Sequence, residues 1–310
     1  ADKYWGNRLK VFNSYAYDEK NTLRKVRMLI NVGGGSPTSG PVSGIHWHMN
    51  LANQITFFAT DERRQVIPWV QAKDKDGNVT TYVSSNAQLS PDQIRTAEKR
   101  RMDCIDCHNR PAHIYNPPDV SLDSAFAAER LDVSLPYLKR KGVEVLEQNY
   151  ATEDEALKSI AASLRSFYQT NYATILNEKK SSIDGAVAEI QRIYKTNYFP
   201  EMKTSWEAHP NNIGHLRSAG CFRCHDGDHR SENGKVIRND CSICHTVIYD
   251  SARPAEQNAS TGGFKHPVDL GALADRKCES CHKESKPFQH PINLGDISMY
   301  QCVECHPKNK

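Results

Sequence analysis

The chain has 310 residues, with 40 basic and 37 acidic side chains and a formal net charge of +3. That near balance argues against a nucleic-acid partner, which calls for a strongly basic face. Hydrophobic residues make up 38% and mean hydropathy is −0.67, lean for a length that allows two or three domains, and no apolar run approaches the roughly 18 residues of a membrane span.

Residues 1–117 read as a mixed β and loop segment. The chain starts at Ala1 and not Met, as a processed or truncated product would, and no signal-peptide pattern is present. Gly33-Gly34-Gly35-Ser36-Pro37 through Gly44 is a glycine-rich loop, but it lacks the Gly-Lys-Ser/Thr of a phosphate loop. Val66-Ile67-Pro68-Trp69-Val70 and Val79-Thr80-Thr81-Tyr82-Val83 flank Asp76-Gly77, a good hairpin turn. Ser90-Pro91-Asp92-Gln93 predicts a helix start, with Ser as cap, Pro in the first turn and Gln three residues on. That helix is expected to run through Arg100 and to deliver Cys104.

Residues 118–200 contain neither Cys nor His. Thr152-Glu153-Asp154-Glu155 reads as a capping box. Leu157, Ile160, Ala161, Leu164, Phe167 and Tyr168 follow at helical spacing, and Ile183, Val187, Ile190 and Ile193 form a second stripe. A helical subdomain that packs on itself or covers a cofactor is expected. Residues 201–310 carry an internal repeat. His209-Pro210, His266-Pro267 and His290-Pro291 each stand twelve residues before a Cys-x-x-Cys-His motif. A short repeat with one cofactor per unit argues for an array stabilised between neighbours. The fold expected from this pass is mainly α with long loops and a small β hairpin region, around a core built by that cofactor.

The cofactor is named by the cysteines. All ten fall in five Cys-x-x-Cys-His motifs: Cys104, Cys107 and His108; Cys221, Cys224 and His225; Cys241, Cys244 and His245; Cys278, Cys281 and His282; Cys302, Cys305 and His306. This spacing is the attachment signature of c-type haem. Two thiols add to the vinyl groups of one porphyrin, and the adjacent histidine supplies a proximal nitrogen to iron. Disulfides and zinc knuckles are the alternatives, but zinc sites do not need a histidine directly after the second cysteine. Five covalent haems c are therefore expected. With about −1 for each oxidised haem with ionised propionates, the loaded protein would sit near −2.

Eight histidines lie outside the motifs. His209, His266 and His290 recur at a fixed distance from a motif and are expected as distal iron ligands. His113 and His229 follow a motif histidine too closely to reach the far side of the same haem, so each would serve a neighbour. His46 and His48 share a face if their segment is extended, one as ligand and the other as propionate partner; His215 is a candidate of the same kind. Met49, Met102, Met202 or Met299 could ligate instead and would raise the potential. With eight imidazoles at hand, bis-histidine ligation is the simpler reading.

Gly44-Ile45-His46-Trp47-His48-Met49-Asn50, Cys104-Ile105-Asp106-Cys107-His108-Asn109-Arg110-Pro111 and His209-Pro210-Asn211-Asn212-Ile213-Gly214-His215 resemble the NapC/NirT-like multihaem cytochromes of metal- and sulfur-reducing bacteria. The likeness covers most of residues 1–250. Members of that family begin with a membrane helix and further haem motifs. Neither is found here, and Trp5-Gly6-Asn7-Arg8-Leu9-Lys10 looks like sequence that follows such a motif. The resemblance implies a fragment or separate product of a longer cytochrome, with a membrane-anchored quinol-oxidising partner or sequence outside this chain.

The leading expectation is a pentahaem electron-transfer protein, without substrate turnover, passing electrons between respiratory partners through low-potential haems. Its partners would be other redox proteins or cytochromes, in the periplasm or outside the cell. Two alternatives stay open: a reductase of nitrite, hydroxylamine or a sulfur oxyanion with one open haem site, and a subunit of an extracellular cytochrome filament made of identical chains.

Overall fold

The computed structural model describes residues 6–34, 43–50, 52–108, 113–208 and 211–253. The chain divides into two compact units. One takes in Ala1–Val11, Val26–His108 and Asn211–Lys310; the other takes in Phe12–Lys25 and Asn109–Pro210. In chain order the strands are β1 (Arg8–Tyr15), β2 (Leu23–Ile30), β3 (Gln54–Phe58), β4 (Trp69–Lys73), β5 (Val79–Ser84), β6 (Arg100–Arg101), β7 (His229–Arg230) and β8 (His245–Asp250). The helices are α1 (Pro91–Thr96), α2 (Cys104–Cys107), α3 (Pro118–Ala127), α4 (Leu138–Leu146), α5 (Glu153–Asn171), α6 (Ala173–Glu178) and α7 (Lys180–Asn197).

The expectation of a mainly α chain is corrected. Among the described residues, helix accounts for 37% and strand for 20%, with two antiparallel sheets of three and five strands. The strands order as β1-β2-β8 and β6-β3-β4-β5-β7. Among the described residues, only β4 and β5 form a tight local hairpin, with Lys73 opposite Val79. Its turn uses Gly77 at φ +85°, a left-handed conformation that costs glycine little. The Asp74 carboxylate accepts from the Asp76 and Asn78 amides, both at 2.9 Å. β1 with β2 and β3 with β4 also join consecutive strands, through longer connections, whereas other pairings join segments far apart. β7 pairs with Val83 and Ser84, and β8 pairs with β2 from Val26↔Asp250 to Ile30↔His245. Two-residue strands such as β6 and β7 show no alternation for the eye to find.

The Ser90 cap forms as a full box, with Gln93 N donating to Ser90 Oγ at 3.2 Å and Ser90 N to Gln93 Oε1 at 2.8 Å. Its helix is shorter than expected. It ends at Thr96, Ala97 turns extended, and Arg100 instead pairs with Phe57 in the sheet.

In the helical unit, α5 buries Ala156, Ile160, Leu164 and Tyr168, and α7 buries Ile183, Val187, Ile190 and Ile193. Both series recur every three or four residues, the spacing of one helix face. They close one apolar cluster with Leu122, Leu138 and Leu146. Gly142 lets α4 lie against this layer: a Cβ there would stand 2.9 Å from Leu122 Cδ1. Thr152 caps α5 by accepting from Glu155 N at 3.2 Å. The Glu155 carboxylate accepts from Ala151 N at 2.9 Å, one residue before the usual partner. Asn21, fully buried, donates to the Val133 and Leu135 carbonyls and accepts from Lys139 N, all at 2.8 Å. Among the described residues, no helix is long and apolar enough to cross a membrane.

Candidate haem-binding site

Three of the five motifs lie within the described residues, all in the β-rich unit. The first is the single helical turn α2, held by Asp103 and Asp106 as a capping box. The second sits on a 3₁₀ turn, Gly220–Arg223. Gly220 is at φ +50°, and a Cβ there would meet Gly214 O at 1.6 Å, so no other residue fits. The third is a 3₁₀ turn, Cys241–Ile243, that leads straight into β8.

The motifs approach one another. The Cys221 and Cys244 thiols hydrogen-bond, which lowers Cys221 and raises Cys244. Burial pushes up the thiols of Cys107 and Cys224, the latter to about 12. Cys104 and Cys241, the first cysteines of their motifs, are exposed.

Each described motif histidine faces a histidine from elsewhere. The ring centroids of His46 and His108 are 6.5 Å apart, those of His48 and His225 5.7 Å, and those of His215 and His245 6.2 Å. A metal–imidazole bond is about 2 Å, and a ring centroid lies about 1 Å beyond its nitrogen, so two rings on one metal stand roughly 6 Å apart. The three separations fit that chemistry.

His46 and His48 reach different motifs because their segment, Ile45–Met49, is a 3₁₀ turn and not extended. Residues two apart on such a turn diverge, whereas in a strand they share a face. The turn is fixed from behind. Asn31 O accepts from Ile45 N and Val32 O from His46 N, both at 2.8 Å. Gly44, at φ +70°, passes so close that a Cβ would stand 2.5 Å from Asn31 O. Asn31 also holds the third motif, donating from its backbone to Cys244 O at 2.8 Å and from its side chain to Ser242 O at 2.9 Å.

Ring orientation suits ligation. His48 Nδ1 is 2.7 Å from Ile45 O, and His225 Nδ1 is 2.5 Å from Arg238 O. A backbone carbonyl on one nitrogen fixes the tautomer and leaves the other for a metal. Burial holds His46, His48 and His245 below the ordinary imidazole value, helped in each case by a neighbouring histidine. The neutral form, which carries the lone pair, is thereby favoured.

His229 is placed differently. It is 1% exposed, with Nε2 2.8 Å from Ile67 O and Nδ1 3.0 Å from the Asp226 carboxylate. Both ring nitrogens are engaged. His113 lies in the helical unit, its Nε2 3.0 Å from Thr196 O. His209, His266 and His290 lie outside the described residues, as do the motifs of Cys278, Cys281 and His282 and of Cys302, Cys305 and His306.

A set of polar residues went unread in the sequence. Asp106, inside the first motif, is 3% exposed. Its carboxylate accepts from Arg64 at 2.6 Å, Arg100 at 2.9 Å and Asp103 N at 2.7 Å. The Asp103-x-x-Asp106 spacing of a cap was a legible signal. Nothing marked Arg64 or Asn31, whose partners are set by the folded backbone.

The chain is similar to the cytochrome c-type protein ImcH of Geobacter sulfurreducens, with 42% identity over 282 residues, covering 91% of this chain and 55% of that protein. The chain thus spans about half the length of the curated relative it matches. The likeness supports the c-type cytochrome class for this chain. No family model and no solved structure matches.

Proposed function

We propose that this chain is a pentahaem c-type cytochrome that carries electrons between redox partners. The observation that supports this best is the facing of three motif histidines by three others at about the separation of two rings on one metal. On this reading Cys104 and Cys107, Cys221 and Cys224, and Cys241 and Cys244 hold three haems covalently. His108 and His46, His225 and His48, and His245 and His215 bind their irons. His229, with both nitrogens engaged, serves as an internal pin between Ile67 and Asp226.

The bound haem supplies the redox step; the protein sets ligand identity, burial and distance. Two imidazoles on one iron favour a lower potential than the histidine–methionine pair of small cytochromes. They also leave no position for a substrate. Residues 278–282 and 302–306 carry two further haems, and His209, His266, His290 and His113 are the remaining candidates for distal ligands. On the NapC/NirT-like resemblance, the site of action is the periplasm or beyond it. The partners there would be other cytochromes, with membrane association through sequence or partners outside this chain.

Intact mass and low-temperature EPR on the loaded protein test the proposal together. Five covalent haem additions with only low-spin ferric signals are expected. A high-spin haem that binds carbon monoxide, with steady consumption of nitrite or hydroxylamine, would establish a reductase instead. Zinc in place of iron would remove both readings.

A further inference from the structure

The middle residues of the first two motifs are joined by hydrogen bonds that haem attachment alone does not need. Arg223, between Cys221 and Cys224, is 8% exposed. Its Nε donates to Gly220 O at 2.8 Å, its Nη1 to Arg64 O at 2.8 Å and its Nη2 to Asp106 O at 2.7 Å. Asn212 Nδ2 donates to the same Asp106 carbonyl at 3.2 Å. One guanidinium therefore spans the second motif, the first motif and the loop at Arg64. Only a planar fork of several donors reaches three carbonyls at once.

Arg64 closes the circuit from the other side. It gives its carbonyl to Arg223 and its guanidinium to the Asp106 carboxylate. Its backbone is at φ +55°, an uncommon conformation for a side chain of this size. The Asp61 carboxylate pins that turn, accepting from Gln65 N at 3.1 Å and Val66 N at 2.7 Å. A strained residue held by its neighbours at a site of this kind points to a role.

Resting on the haem reading above, we infer that Arg223 is a positioning residue that locks the first and second haem-attachment motifs at a fixed separation, so that their two haems exchange electrons as a rigid pair. Asp106 is its counterpart in the first motif. Its carboxylate anchors the motif to Arg64 and Arg100, and its carbonyl receives the guanidinium. Arg223 touches neither iron ligand in this role; it acts through the backbone of both motifs.

The test is the haem–haem magnetic interaction in EPR of the loaded protein, read at unchanged haem count. Arg223→Gln should keep all haems by intact mass and lose one such interaction. Arg223→Lys keeps the charge but lacks the fork, and should lose the same interaction; it decides the matter if the Gln variant fails to load. A wild-type interaction in Arg223→Lys, or none in the wild type, overturns the inference and leaves the haem assignment standing. A wild-type protein that carries zinc or no haem overturns the haem assignment itself.

Discussion

Among the described residues, the helical unit closes a single cluster of twenty buried apolar residues, from Leu122 to Tyr198, whereas the cluster at the heart of the motif-bearing unit has four: Ile55, Phe57, Ile67 and Val70. A fully buried aliphatic or aromatic side chain contributes about 1.5–3 kcal/mol. Burial of side chains alone can therefore hold the helices together, but it gives the described part of the other unit far less. Both units bury polar groups, but in the motif-bearing unit they outweigh the apolar cluster: Asn50, Asn53, Asp106, Asn212, Arg223, His229 and Asp250 are buried there. Bonded polar groups specify geometry more than they add stability. The contrast implies a division of labour: one unit folds on its own oil, the other is shaped by polar links and waits for its cofactors.

The most severe way to break this comparison is to withhold haem during maturation. The motif-bearing unit should then lose its protected amides, including those of β3 and β4, while α5 and α7 keep theirs. Hydrogen exchange followed by mass spectrometry reads both at once, and equal protection of the two units would end the argument. A gentler probe enters the helical core. Ile160, fully buried, replaced by Ala should cost about 2–5 kcal/mol. The thermal transition of the helices should fall while haem absorption stays as in the wild type. The smallest effect concerns the α5 cap. Thr152→Ala removes the acceptor for Glu155 N and should cost about 1 kcal/mol, seen as a lower Tm with an unchanged redox titration. A shifted haem potential in either variant would mean that the two units are energetically coupled.

Much of the helical unit was legible because its periodicity is local. Ile160, Leu164, Ile183 and Ile190 carry a helix's spacing whatever surrounds them, and all four are buried. The Ser90 box was legible for the same reason. Of the sheets, the hairpin of β4 and β5 around Asp76-Gly77 was legible in the same way, and the long-range pairings were not. β6 and β7 have two residues each, and their partners are chosen by tertiary position. The cysteine spacing named the cofactor, because two thiols and a histidine must meet one porphyrin. It could not say which histidine faces which. His46 and His48 part company only because Asn31 and Gly44 force a 3₁₀ turn, and that constraint belongs to the folded backbone. Asp106 and Arg223 were hidden in plain view as the variable letters of their motifs.

The pairing of β2 with β8 has a consequence for the life of the chain before it is complete. Val26 to Ile30 acquire this neighbour only when residues 245 to 250 arrive, more than 200 residues later. Until then one edge of β2 is an open template, and Val26, Met28, Leu29 and Ile30 make it a sticky one. Arg24, Lys25 and Arg27 stand within and beside that run. Charges so placed act as gatekeepers that deter strand-to-strand aggregation. Their replacement by neutral residues should first be felt in the yield of soluble chain, before any property of the finished fold.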